Sequence, residues 1–399
     1  MPFEEAHVVD VRERFVEESY RTQRSFADVC GRYGISRKTG YKWRERYSLG
    51  GRSALEDESR RPKSCPWATP PVVTEAILSV RRTYPDYGAK KILWYLEAHR
   101  PELILPSLTT THNILSRAGL VQSRRPRLRR WHPGRPSTSA AAPNELWTID
   151  YKGQFRLQDS SLCYPLTTQD RYSRYLLDCR GRSSTKTVPA KRALERLFQA
   201  YGLPDRIRSD NGTPFASNAL GRLSTLSVWF IQLGITPELI EPASPYQNGA
   251  HENMHLHLKR RTAKKPRANI RAQQRAFDDF RREYNTVRPH EALHGRTPGS
   301  LYRPSVRPYP TVLEPITYPG HFELRLVSAN GGIRWLKRSW VNVSHLLGGL
   351  YVGFEEIDHG LFDVYFGPVW LGRFVEAKRR IMDHFSRLTR HSPQRPNRP

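Results

Sequence analysis

From Gln122 to Pro143 the chain reads QSRRPRLRRWHPGRPSTSAAAP, an arginine-dense run diluted mostly by Pro, Ser and Ala. Such a stretch has too little apolar surface to offset its ordering entropy, so no core can run through it. It divides the 399 residues into parts that must each bury a core of their own. We read it as a basic linker over 124–143, between a helical N-terminal part and a strand-bearing part that follows it.

In the N-terminal part, SFADVCGRYGISRKTGYKWRERY predicts a helix from Ser25 that gathers Phe26, Val29, Cys30 and Tyr33 on one face. A turn follows at Gly34-Ile35, and Ser36 caps a second helix. That pattern is a helix-turn-helix over residues 1–50. Its second helix carries Arg37, Lys38, Thr39, Lys42, Arg44 and Arg46 outward, residue types that contact phosphates and base edges in a major groove. A plain αα-hairpin with a solvated basic face is the alternative. Gly40 counts against the helix by about 1 kcal/mol relative to Ala. Residues 51–123 repeat the theme, with a helix entered through Pro70-Pro71, then GAKKILWYLEAHR, then SLTTTHNILSRAGL ended by Gly119. The last of these opens on Thr109, Thr110 and Thr111 with Asn113 close behind, short polar chains able to reach bases. We read a second helix-turn-helix module of homeodomain-like type.

The charge balance agrees, with 65 Lys and Arg against 38 Asp and Glu, a formal +27. An excess of that size suits a polyanion, because each neutralised phosphate releases condensed counterions. Double-stranded DNA is the expected partner, and the linker could lie along a groove as basic arms do or run solvated. No apolar run approaches a membrane span of ~20 residues, and MPFEEAHVVD lacks the features of a signal peptide. Cys30, Cys65, Cys163 and Cys179 are scattered without a C-x-x-C pair. We therefore expect no membrane partner and a cytoplasmic, nucleoid-associated protein.

From Asn144 the texture changes. ELWTIDYKGQF alternates Leu146, Thr148 and Asp150 against Trp147, Ile149 and Tyr151, as a strand does. A hairpin follows around Asp170 to Ser173, then an amphipathic helix in TVPAKRALERLFQAYG, a short strand ending at Asp210, a helix stopped by Gly234, a strand in ITPELIE and a long helix from Gly249. Strands followed by strand–helix alternation predict an α/β core with a mixed sheet over 144–304. Beyond it, short Val-, Trp-, Tyr- and Phe-rich runs between NGG, LGG and DHG turns predict a small β-barrel over 305–376, with a basic tail over 377–399.

Two chemistries compete for the acidic residues. His251-Glu252-Asn253-Met254-His255 matches the H-E-x-x-H pattern of zinc peptidases, and His290, Glu291 and His294 repeat the spacing. With fourteen histidines in the chain, at least one match is accidental. The other reading joins Asp150, Asp210 and Glu252, which stand in a strand, at a strand end and in the first turns of a helix. Strand ends are where α/β sheets place ligands. Converging carboxylates suit Mg²⁺ or Mn²⁺, and two such ions about 3.5–4 Å apart can serve an in-line displacement at phosphorus. Taken singly, the three acids are a turn acid, an Asx-turn and a helix N-terminal acid.

Taken together with their neighbours they are more. LWTIDYKG, RSDNGTPF and SPYQNGAHEN resemble, in order, the three motifs of the DDE transposase and integrase superfamily, and YNTVRPHEALHGRTP resembles the segment that trails the catalytic helix in insertion-sequence transposases. The resemblance covers 144 to about 302. It implies an RNase H-like core, Asp150, Asp210 and Glu252 as catalytic metal ligands, two Mg²⁺ or Mn²⁺ ions, and a homo-multimer acting on transposon ends and target DNA. It also implies Asn248, Lys259 and Arg260 as DNA contacts, with Asn248 and Gly249 shaping the loop before Glu252. Asp210 and Glu252 lie 42 positions apart, longer than is usual, with the extra length in SNALGRLSTLSVWF. Glu238 and Glu241 are outside candidates for the third ligand. His251 and His255 are expected on the DNA-facing surface of the helix, in a polar stripe with Lys259 and Arg260. A DNA-binding regulator with an inactive core is the alternative function.

Overall fold

Ser25 and Ser36 each accept a hydrogen bond from the backbone N–H three residues on, so the two helices of the first pair begin where their caps predict. We describe residues 7–58, 67–121, 139–217, 219–240, 248–336 and 339–382 of a computed structural model of the chain. Most of the linker, the tail beyond Met382, and Glu241 lie outside the described residues. Backbone contacts divide the chain into two units, Met1–Pro70 and Pro71–Pro399.

The first unit is α1 (Val8–Arg21), α2 (Phe26–Arg32) and α3 (Arg37–Gly50), with the 3-10 turn Gly51–Leu55 closing on them. Phe15, Val16, Val29, Cys30, Trp43 and Leu55 form its core. Gly40, unfavourable by propensity, is the crossing point. A Cβ there would sit 2.7 Å from Cys30 Sγ and 2.9 Å from Phe26 Cζ. Gly40→Ala is therefore expected to destabilise this unit by about 1–3 kcal/mol through overpacking, despite the better helix former. A higher unfolding midpoint for the variant would contradict the packing account.

The second unit opens with α4 (Pro71–Thr83), α5 (Ala89–His99) and α6 (Leu108–Arg117) around Ile77, Tyr87, Ile92, Leu96 and Leu115. The sheet follows: β1 (Leu146–Tyr151), β2 (Phe155–Arg156), β3 (Leu162–Asp170) and β4 (Leu176–Arg182). After α7 (Thr187–Tyr201) come β5 (Arg206–Ser209), α8 (Thr225–Gln232) and β6 (Thr236–Leu239). β3 lies antiparallel between β1 and β4, while β1, β5 and β6 run parallel, which gives the mixed RNase H-like sheet. Trp147 and Ile149 on one face of β1 pack with α7 and α8 through Leu194, Phe198, Leu226 and Phe230. The other face takes α9 (Gly249–Leu258), which continues as a π-turn over Lys259–Ala263.

α10 (Ile270–Thr286) covers the edge of β4 and supplies what an edge strand lacks. Gln274 accepts from the Gly181 N–H and donates to the Cys179 carbonyl. Arg281 donates to the Leu177 carbonyl, and Asn285 exchanges both bonds with Leu176. The short α11 (Pro298–Leu301) ends the core.

The small β-barrel expected at the C-terminus is corrected here. Among the described residues β10 (Tyr351–Asp358), β11 (Leu361–Phe366), β12 (Val369–Val375) and β13 (Arg380–Met382) form an open antiparallel sheet with β7 (Glu323–Leu326). β8 (Gly332–Arg334) and β9 (Trp340–Asn342) pair separately. The two sheets are not closed by backbone pairing. They share a core of Trp335, Phe354, Phe362 and Phe374 that also takes in Leu223, Val228 and Ile231. The extra length between Asp210 and Glu252 thus seats the C-terminal sheet on α8. Gly221 and Gly367 permit the approach: a Cβ would lie 3.0 Å from Leu371 and 2.7 Å from Ile231 respectively.

Candidate active site

β1 and β5 pair in parallel from Leu146↔Arg206 to Thr148↔Arg208, and Asp150 and Asp210 stand two residues beyond that last pair. The two carboxylates therefore emerge at the same ends of adjacent strands. Asp210 starts a tight turn in which the Gly212 N–H donates to its Oδ1. Asp150 shares a strand face with Thr148, which meets α9. Glu252, exposed on α9, lines with Asp150, Lys152, His255 and Lys259 a cleft of about 440 Å³. Burial first, then the charges of Asp210 and Glu252, push the Asp150 carboxyl up to about 7 against the lowering from the Tyr151 N–H and Lys152. Among the described residues no three acidic, histidine or cysteine side chains are gathered closely enough to hold an ion as they stand.

The raised Asp150 pKa has a testable sign. A carboxyl that holds its proton more tightly folded than unfolded lowers stability as pH rises from about 4 to about 7, because the folded state binds more protons across that window. In chelated protein, Asp150→Asn should raise the thermal midpoint near pH 8 and lose that advantage near pH 4. A difference between variant and wild type that ignores pH would contradict the electrostatic account.

Glu238 is drawn away from the cleft. Arg206 and Arg208 both donate to its carboxylate, so it ties β5 to β6.

The surface position expected for His251 and His255 is overturned. His251 is fully buried and His255 nearly so, both facing the sheet. His251 Nδ1 lies 2.7 Å from Thr148 Oγ1, and Thr167 Oγ1 lies 2.7 Å from Nε2 of both histidines. Burial pushes His251 down to about 3, and burial with the nearby His251 and Lys152 pushes His255 far below the usual range. Only Lys259 and Arg260 of the expected stripe are exposed. The zinc pattern fails on the same geometry, since the imidazole Nε2 atoms are engaged by a threonine while Glu252 points to solvent. In the second match His290 packs edge-on to Tyr284, His294 is a left-handed residue after a 3-10 turn, and Glu291 pairs with Lys90.

The residues expected to contact DNA divide. Arg37, Lys38 and Lys42 are exposed along α3, Thr39 shares its hydroxyl with Ser36, and Arg44 lies 3.9 Å over the Tyr20 ring. On α6, Thr109 and Asn113 are exposed, Thr110 bonds Ser107, and Thr111 is buried with its hydroxyl on the Ser107 carbonyl. Asn248 is buried, with its Oδ1 unsatisfied among the described residues. The sequence reading missed a cluster beside the site. Arg288 donates to Asp86 at 2.6 Å and lies 3.1 Å from His257 of α9, fastening α9 to the loop between α4 and α5. Its members are some 200 positions apart in part, and no local pattern marks them.

This mixed sheet, with two strand-end carboxylates and a crossing helix, has the layout of an integrase core. Comparison with known proteins agrees. "Integrase core domain" families match residues 140–245 and 233–298, a "Helix-turn-helix domain" matches 11–63, and a "Homeodomain-like domain" matches 39–115. The chain is 24% identical over 257 residues to the insertion element IS476 39.2 kDa protein of Xanthomonas euvesicatoria, covering 64% of this chain and 71% of that one. It is 29% identical over 161 residues to the insertion element IS407 31.7 kDa protein of Burkholderia multivorans, covering 40% and 56%. A chain of the simian T-cell lymphotropic virus intasome solved with a PP2A regulatory subunit is 16% identical, with a TM-score of 0.36 over 74% of this chain and 97% of that one. Residues 140–298 thus match integrase core domains, and the chain is similar to proteins of insertion elements. Its core is of the polynucleotidyl transferase type. No helix among the described residues is long and apolar enough to cross a membrane.

Proposed function

We propose that this transposase binds the terminal repeats of its element and carries out 3′-end cleavage followed by strand transfer into target DNA. The observation that carries the reading is the parallel pairing of β1 with β5, which brings Asp150 and Asp210 out at the same ends of adjacent strands, with Glu252 lining the cleft at Asp150. Asp150, Asp210 and Glu252 are the catalytic residues. The fit to divalent cations rests on the donor set, three hard carboxylates, of which Asp150 has its pKa raised by burial first and then by the charges of Asp210 and Glu252. Two Mg²⁺ or Mn²⁺ ions, when bound, would activate the attacking oxygen and stabilise the leaving one.

The chain's own residues supply position. Water attacks the terminal phosphodiester and frees a 3′ hydroxyl; that hydroxyl then attacks a target phosphorus and displaces a target 3′ oxygen. No protein nucleophile takes part, so the work is orientation and charge stabilisation. Lys259 and Arg260, exposed beside the cleft on the π-turn, would hold phosphate. Arg37, Lys38, Thr39, Lys42 and Arg44 of the module over 1–50, and Thr109, Thr110, Thr111 and Asn113 of the module over 51–123, would read the ends, with a homo-multimer joining two of them. Full-length protein incubated with labelled terminal DNA, target DNA and Mg²⁺ or Mn²⁺ should yield joined products. DNA binding without metal-dependent nicking or joining would favour a regulator with an inactive core.

A further inference from the structure

The segment YNTVRPHEALHGRTP, residues 284–298, closes α10 and meets the module of α4, α5 and α6 at three places. Arg288, buried, donates to Asp86 in the turn before α5 at 2.6 Å, and His257 of α9 lies 3.3 Å from the same Asp86 oxygen. Glu291 pairs with Lys90 of α5 at 3.0 Å. Gly295, at φ +87°, lies so close under the Trp94 ring that a Cβ there would sit 2.7 Å from the ring Cγ. Glycine meets both demands of that position, the left-handed backbone and the close approach.

Two bodies are joined here, each with a core of its own. The apolar cluster of α4, α5 and α6 is built from residues between Val73 and Leu120, and Trp94 stands outside it. α9 is held to the sheet by Met254 and Leu258, which pack with Cys163, Leu176 and Cys179. Between the bodies run a buried charge pair, a second ion pair and a ring laid on a glycine. Burial chiefly, then the Arg288 charge, pushes the neighbouring Lys91 ammonium down to about 8, so water is largely excluded from this flank of α5. Buried polar contacts of this kind admit one mutual orientation, where an apolar contact tolerates sliding. Meanwhile α6 keeps Thr109, His112, Asn113, Ser116 and Arg117 exposed, so its reading face stays open while α5 is docked.

We propose that 284–298 is a docking surface for this chain's own second DNA-binding module, and that Asp86, Lys90 and Trp94 are positioning residues that hold DNA on α6 in one orientation to the cleft at Glu252. This rests on the reading of α6 as a DNA-contacting helix and of the cleft as catalytic. The segment over 124–143 then only connects the two bodies, and the dock sets their separation. A reacting phosphate displaced by about 1 Å costs about a hundredfold in rate, so loosening the dock slows chemistry without touching a catalytic group.

Three measurements on full-length protein separate positioning from support: gel shift on terminal DNA, calorimetric titration with Mn²⁺, and end cleavage at saturating DNA. Trp94→Ala removes the ring from Gly295 and leaves the module's core intact. It should slow end cleavage about tenfold or more, with DNA and Mn²⁺ affinities within about twofold of wild type. Tripling the length of 124–143 with Gly and Ser should leave the wild type within about twofold and cost Trp94→Ala a further fivefold or so, since only an undocked module depends on its tether. Wild-type cleavage by Trp94→Ala would overturn the dock. So would an equal loss from the longer linker in both backgrounds, and so would all three measurements falling together, which is the mark of support alone. Lys90→Glu, at an exposed site, asks the same question by charge: it should slow cleavage about threefold, and adding Glu291→Lys should restore it. Equal rates for that single and double variant would overturn the proposal. Thr109→Ala with Asn113→Ala tests the reading underneath. Unchanged terminal binding in that variant removes α6 from the DNA, whereas lost binding there beside wild-type cleavage by Trp94→Ala removes only the dock.

Discussion

Asp210→Asn is expected to remove DNA cleavage and strand transfer, by about a thousandfold or more, while leaving the binding of terminal DNA within a few-fold of wild type. The substitution preserves shape and the turn at Gly212, where an Asn oxygen can accept the same N–H. It deletes one negative charge at the end of β5, beside Asp150. Losing several kcal/mol of charge stabilisation at a phosphoryl-transfer site translates into a rate loss of that order. Binding is carried by helical modules remote in sequence from Asp210 and should depend steeply on salt. Gel-shift and strand-transfer assays on one preparation decide the matter. A variant that still joins DNA within a few-fold of wild type would remove Asp210 from the site.

Arg288→Ala should produce the largest loss of stability among single substitutions in the second unit, about 3–5 kcal/mol. Arg288 is 3% exposed, donates to Asp86, contacts His257 and lies 5.3 Å over the Tyr87 ring. Burial pushes the Asp86 carboxyl up, but hydrogen bonds and charge from His257 and Arg288 prevail and hold it well below the usual carboxylate range. Removing the guanidinium strands a buried carboxylate, and the penalty is chiefly that of the charge left behind. Asp86→Asn in the same background should recover part of the loss, since it removes the stranded charge. Denaturant unfolding of the two single variants and the double variant measures this coupling. Additive losses would show that the pair is not coupled. The sign with pH follows from the depressed carboxyl: its contribution is present at neutral pH and is lost as acid protonates Asp86.

The histidines of α9 mark the boundary of what a local pattern can reveal. His251, Met254, His255 and Leu258 recur at helical spacing and are the buried residues of the helix. Met254 and Leu258 alone would have identified that stripe as the sheet-facing side. Treating histidine as polar turned the helix outward. Threonines at 148 and 167, in strands buried on both faces, were the complementary signal, because their hydroxyls require partners. A similar inversion holds for Gly40, whose cost to helix propensity is offset by a close approach visible only once α1 and α2 lie across it.

The sequence by itself determined the order of helices and strands, their caps and stops, and the positions of Asp150, Asp210 and Glu252 within them, because periodicity and turn chemistry act over a few residues. It also determined the resemblance to the integrase superfamily, since those motifs are contiguous. Only the tertiary structure decided that the C-terminal strands form open sheets seated on α8 and that Glu238 belongs to Arg206 and Arg208. The same holds for the joining of Arg288 to Asp86 and for the burial of His251 and His255 under Asp150. Each of these outcomes depends on a polar or glycine position meeting a partner far away in the chain, 103 positions for Thr148 and His251 and 202 for Asp86 and Arg288. Whether a buried polar group is tolerated is set by that distant partner, and no local pattern carries its identity.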